Sequence, residues 1–152
     1  MGTSPGLRDD LNLSASNVMK LLLGLVCDRA HQGPDGRLHV DGQYHDLYAP
    51  GFPAKHDLTL VTVLEWDRQD HGRFNFTVEL LDPQGNPSLR GSGYTEVVEA
   101  DPEGPAARTY YIEPLENVVF PLPGTYRFRI QAKGHWHDGP VLYLWETEDQ
   151  AG

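Results

Sequence analysis

The sequence predicts an all-β, single-domain antiparallel β-sandwich of about eight strands. Three observations carry that expectation. Short segments alternate apolar and polar residues with the period of a strand, clusters of Gly, Pro, Asn and Asp separate them, and no segment repeats apolar residues at the three- and four-residue spacing of a helix. The chain has 152 residues, punctuated by 16 glycines and 12 prolines. At this size folding buries roughly 70% of the surface an unfolded chain exposes, enough for an ordinary core without a disulfide or a metal.

The first segment is VMKLLLGLVCDR, Val18 to Arg29. It has two readings. As an exported lipoprotein it would start at Met19, use Lys20 as its positive region and lipidate Cys27. The apolar stretch LLLGLV is shorter than the roughly 7 to 15 residues a secretory apolar region needs, and Val26 stands where a small residue is required. The strand reading asks only for a short apolar run bounded by Asn17 and Asp28, and apolar residues at both parities imply burial on both faces. Cys27 then ends the strand as a buried, inert thiol.

RLHVDGQYHDLY, residues 37–48, places Leu38, Val40 and Tyr44 on one parity and Arg37, His39, Asp41 and Gln43 on the other, a half-buried strand with Gly42 at a bulge or close contact. PGFP, residues 50–53, is a turn before HDLTLVTVLEWD, where Leu58, Leu60, Leu64 and Trp66 share a face and Val61 and Val63 make the other partly apolar. FNFTVELL, residues 74–81, alternates Phe74, Phe76, Val78 and Leu80 against Asn75, Thr77 and Glu79 and is stopped by DPQGNP. A weaker strand covers Gly93 to Val98, an acidic Pro-containing loop follows, and RTYYIEPLENVVFP is interrupted by Pro114. TYRFRIQ, residues 125–131, and PVLYLWE close the domain. Residues 17–147 are expected to form the sandwich, residues 1–16 a flexible tail and residues 148–152 a short C-terminal tail.

The stretch FPLPGTYRFRI, Phe120 to Ile130, sets Pro123 and Gly124 in a turn with Tyr126 as the second residue of the following strand. That arrangement resembles the tyrosine corner of immunoglobulin-like sandwiches, in which the tyrosine hydrogen-bonds back to the connecting backbone. The alternative is a core aromatic at the right parity. Either way Tyr126 is structural, as are Cys27, Pro123 and Gly124, and the sandwich is expected to be immunoglobulin-like.

Charge narrows the function. Twenty-two acidic against 12 basic residues give a formal net charge of −10, and no two Lys or Arg residues are adjacent. Such a surface repels phosphate backbones and anionic lipids, so no nucleic-acid or membrane partner is expected. With one cysteine the chain forms no internal disulfide, which suits a reducing compartment.

The chemistry-bearing residues are few. His135 and His137 in HWH would point to one side of a strand, as two metal ligands could. His31, His39, His45 and His56 are scattered, and KGHWHDGP reads as a hairpin with solvent-facing histidines. Asp67 with Asp70, or Asp101 with Glu103, could offer loop oxygens to calcium, though loop carboxylates are ordinarily solvated. No nucleophile elbow, phosphate loop or HExxH is present. The expectation is a chain without a metal, cofactor or catalytic residue, acting as a non-enzymatic protein-interaction module or small structural subunit. Its partner would be another protein or a second copy. The runner-up is a sandwich whose loops bind a small polar ligand or calcium.

In order along the chain, Cys27-Asp28, Gly36-x-Leu38 with Gly42, Phe52-Pro53, and Phe120-Pro121-x-Pro123-Gly124-x-Tyr126 resemble the landmarks of a family of small uncharacterised bacterial proteins. The resemblance spans roughly Met19 to Trp145 and implies a cytoplasmic β-sandwich. It carries no catalytic residue or ligand set to transfer, and the polar extension before Met19 departs from that family's abrupt start.

For an interface, the closing strand is decisive. Val141, Tyr143 and Trp145 share one parity, Leu142 and Leu144 the other. A two-layer sandwich buries one face of each sheet, so Val141, Tyr143 and Trp145 are expected in the core. Leu142 and Leu144 would then join Val61 and Val63 in an exposed apolar patch that binds a partner.

Overall fold

The computed structural model describes residues 19–147. The two expected tails, 1–16 and 148–152, lie outside the described residues. Among those described there are nine strands and no helix, hence no helix long and apolar enough to cross a membrane. The strands are Lys20–Gln32 (β1), Leu38–Tyr44 (β2), Asp46–Ala49 (β3), Ala54–Glu65 (β4), Gly72–Leu81 (β5), Pro87–Val97 (β6), Arg108–Phe120 (β7), Gly124–Ala132 (β8) and His135–Glu146 (β9). One sheet has the order β2-β1-β4-β7 and the other β3-β9-β8-β5-β6.

The ninth strand comes from the segment expected to be one. Residues 37–48 divide at His45, where the chain leaves β1 and crosses to the second sheet, so β2 belongs to one layer and β3 to the other. After the crossing β3 runs parallel to β9, an exception to the expected antiparallel pairing, and His45 accepts a backbone hydrogen bond from Tyr143. Gly42 sits at φ +72°, and a Cβ there would lie 2.3 Å from the Asp28 carboxylate. The register with β1 runs unbroken past it, so Gly42 marks a close contact and not a bulge.

The core fills the space between the layers. Leu58, Leu60 and Leu64 of β4 meet Phe76, Val78 and Leu80 of β5 and Tyr126, Phe128 and Ile130 of β8. Each such side chain contributes about 1.5–3 kcal/mol when fully buried. Trp66 stacks on Phe74, and its indole N–H donates to Thr109 Oγ1 at 2.9 Å. On the reverse side of the first sheet a second cluster joins Leu25, Cys27 and Val61, backed by Ala30, Leu38 and Ile112. Cys27 is therefore buried, as expected of an inert thiol, but it does not end its strand: β1 continues to Gln32 because residues 29–32 pair with β2. Burial first, and the Asp28 charge second, raise the thiol pKa above its ordinary value.

Four one-residue insertions break the strand registers; one, Ser88, lies at the start of β6, and the other three shift parity in ways a sequence pattern does not announce. Leu22 is extra in β1, which sends Leu21 inward and Leu23 outward. In β7 two residues, Glu116 and Asn117, stand against Asp57 alone. Asn117 takes φ +55° and its N–H donates to Asp57 Oδ1 at 2.8 Å. Pro114 is tolerated in β7 because that strand is a sheet edge.

The third insertion lies at Gly139-Pro140 and corrects the expected interface. Tyr126 opposes Leu142 and Arg127 opposes Val141, whereas Arg129 already opposes Asp138. The extra residue exchanges the faces of β9. Leu142 and Leu144 point into the core at 0% and 3% exposure, while Tyr143 and Trp145 are exposed. Val61 and Val63 lie in the other sheet and are themselves buried. The four residues thus form no common patch.

Candidate interaction face

Beyond the core, the most organised side chains lie on the outer face of the β3-β9-β8-β5-β6 sheet. In the register of β6, β5, β8 and β9, a row runs Arg90, Glu79, Arg129, Asp138 across four strands. Glu79 is 3% exposed although it points away from the core. It accepts from Arg129 Nε and Nη2 at 3.0 and 2.8 Å, and Arg90 Nη1 approaches its second oxygen at 3.4 Å. The guanidinium of Arg129 also lies 4.0 Å from the Trp136 ring centroid, and that of Arg73 lies 3.7 Å from the ring of Tyr94. Stacking, and for Arg129 two N–H bonds to one Glu79 oxygen, hold a planar guanidinium in place.

The same face continues into an aromatic margin. Trp145 donates its indole N–H to Asp46 Oδ1 at 2.7 Å, Tyr143 packs edge-on against His45, and Tyr48 stands beside Trp145 in the β3–β9 register. Tyr48, Tyr94, Trp136, Tyr143 and Trp145 are five of the large hydrophobic side chains left exposed. Arg73, Arg90, Arg127 and Arg129 are matched by Asp46, Glu79, Glu96 and Asp138 in the face's strand positions, so the face is locally balanced on a chain of formal net charge −10. The alternation in TYRFRIQ, together with Trp136 and the Tyr143/Trp145 pair, is the signal of this face in the sequence. Alternation by itself hides part of it, because an unbroken parity along β9 turns Tyr143 and Trp145 inward.

The other candidates separate. His135 and His137 belong to β9 and not to a turn, since Lys133 and Gly134, at φ +53° and +79°, complete a two-residue hairpin by themselves. His31 stacks on His39 at 4.8 Å, His45 pairs with Asp46, and His56 meets Tyr44 edge-on. Asp70 accepts from Lys133 Nζ with both oxygens, and Asp67 Oδ2 accepts the Gln69 N–H, so these loop carboxylates already serve the fold. Asp101 uses its main-chain carbonyl, accepting from Arg68 and from the Gly104 N–H. Among the described residues no group of three or more His, Cys, Asp or Glu is arranged to hold a metal ion.

His137 is the titratable group with a testable consequence. Its Nε2 is buried with no hydrogen-bond partner. Burial, and secondarily the neighbouring His135, lower its pKa from 6.5. The folded state therefore resists protonation that the unfolded chain accepts. The contribution to stability is complete above the unfolded pKa and declines as pH falls below about 6.5. Thermal melts across that range should show the wild type losing more stability on acidification than His137→Gln; identical pH profiles would contradict the assignment.

Tyr126 fixes the corner below this face. Its hydroxyl donates to the Leu122 carbonyl at 2.7 Å and accepts the Leu122 N–H at 3.1 Å, while its ring packs perpendicular to Phe120. Gly124 takes φ +131°, and a Cβ there would meet Pro83 at 2.9 Å. No curated protein matches the sequence significantly. Residues 22–143, most of the described sandwich, match a family of unknown function, DUF6941, and the chain belongs to that family.

Proposed function

We propose that this member of a family of unknown function is a non-enzymatic protein-interaction module that presents the Arg-aromatic face of its β3-β9-β8-β5-β6 sheet to an acidic segment of another protein. The observation that carries the reading is the pair of guanidinium groups held on aromatic rings, Arg129 on Trp136 and Arg73 on Tyr94, the first of them also bonded to the buried Glu79. Arg, Trp and Tyr are the side chains that concentrate binding energy at protein interfaces, and groups already immobilised lose little entropy on association. Arg127, exposed on this face and without an ion pair among the described residues, offers a cation to an acidic partner group. The overall acidity argues against nucleic acid and anionic membranes as partners, and the single buried thiol suits a cytoplasmic setting.

An immunoglobulin-like relationship is supported by the Tyr126 to Leu122 corner and by the parallel pairing of β3 with the final strand. It would place the proposed face on the sheet that carries the last two strands.

Affinity purification from the native host tests the function when it compares wild type with Arg127→Glu/Trp136→Ala. Arg127 is exposed and makes no ion pair among the described residues. The expected result is an acidic protein retained by the wild type, released by raised salt, and bound at least about 30-fold more weakly by the variant, the loss of an interface hot spot. Equal retention by both proteins, with the variant folded by circular dichroism, would overturn the assignment.

A further inference from the structure

The two sheets expose four edge strands, β2 and β7 in one and β3 and β6 in the other. Sheet edges ordinarily carry devices that prevent pairing: shortness, proline, bulges or charge. β3 has four residues. β7 carries Pro114 and the Glu116–Asn117 bulge, and β2 has only seven residues, with Asp41 and the positive-φ Gly42 within it. β6 is different. It runs for 11 residues, its proline and its one-residue insertion at Ser88 are confined to the first two positions, and its register with β5 is regular from Leu89 to Val97. Gly91 and Ser92 at its centre are exposed, and a Cβ added at Gly91 meets nothing within 4 Å.

The sequence of this edge is complementary to itself. If two copies pair antiparallel about a two-fold axis through Gly93, Arg90 stands opposite Glu96 of the second copy, and Glu96 opposite its Arg90. On the same outer face Ser92 meets Tyr94. On the inner face Leu89 meets Val97 and Gly91 meets Thr95. Residues directly opposed in an antiparallel pair lie on one face, so each of these contacts is between neighbours. Glu96 makes no ion pair among the described residues, and Gly93 at the axis is bare because a side chain there would strike the Phe76 ring at 3.0 Å.

We propose that the β6 edge is a homodimer interface in which β6 pairs antiparallel with β6 of a second copy in the register centred on Gly93. The two five-stranded sheets become one continuous ten-stranded sheet, a closed two-fold contact that satisfies both edges at once. Both Arg-aromatic faces then lie on the same side of that sheet.

Sedimentation of the full chain over a dilution series, with Arg90→Glu and Glu96→Arg as separate variants, tests the register. The wild type is expected to dimerise reversibly. Each variant, checked for folding by circular dichroism, should dimerise at least about tenfold more weakly because like charges oppose across the axis. An equimolar mixture of the two should recover association, since one chain then carries glutamate at both positions and the other arginine at both, and every cross-axis pair is again of opposite charge. Arg90 also approaches Glu79, so a fold defect in Arg90→Glu is met by amide exchange on the wild type. Protection of β6 amides that rises with protein concentration supports the edge. A wild type monomeric throughout, a dimer whose β6 amides exchange as fast as in the monomer, or folded variants that dimerise as tightly as the wild type would each overturn the proposal.

Discussion

Replacing Leu142 and Leu144 together by glutamate should abolish folding. Both side chains lie in the core between the sheets, at 0% and 3% exposure, and Leu142 is registered against Tyr126, itself fully buried. A carboxylate placed there has no cation within the core to pair with, and an unpaired buried charge costs several kcal/mol even after it protonates or draws in water. Lost leucine packing adds about 2–5 kcal/mol per site. Two such sites exceed much of the roughly 5–15 kcal/mol by which a domain is stable. The far-ultraviolet circular dichroism should lose its sheet signal and the melt its cooperative transition. The paired control is Tyr143→Thr, one residue away on the exposed face, which should melt within a few degrees of the wild type. A double glutamate variant that folds would place both leucines outside the core and show that no bulge at Gly139-Pro140 exchanges the faces of β9.

The second large effect is expected at Tyr126. Tyr126→Phe keeps the ring against Phe120 but deletes the hydroxyl that serves both the N–H and the carbonyl of Leu122. Two backbone groups in a partly buried corner lose their partner, a cost of about 1–3 kcal/mol. Tyr126→Ala removes the ring as well and should cost about 3–5 kcal/mol, the range for emptying a buried aromatic site. Denaturant titration of the three proteins should order them wild type, Phe, Ala, with similar slopes. A Phe variant as stable as the wild type would show that the ring alone holds the corner.

Local chemistry was legible in the chain. Alternation in FNFTVELL and TYRFRIQ marks β5 and β8, because successive strand residues face opposite ways whatever the partner. Pro123-Gly124 before Tyr126 marks the corner, since positive φ at Gly124 and the short reach from Tyr126 to Leu122 are properties of adjacent residues. The apolar run of β4 marks a strand with one core face, but the exposure expected at Val61 and Val63 is wrong: Leu58 to Leu64 are buried on both faces. What tertiary structure alone decided was which strands adjoin and where parity breaks. Whether Leu142 or Tyr143 meets the core depends on Gly139-Pro140 carrying one residue more than the facing stretch of β8, which only the pairing of the two strands reveals. Likewise, Glu79 looks in the sequence like any solvated outward carboxylate. It is buried because Arg90 and Arg129, brought alongside by β6 and β8, close over it. Periodicity is fixed by the backbone of one strand, whereas register, bulges and the neighbours of a charge are fixed by the strands it pairs with.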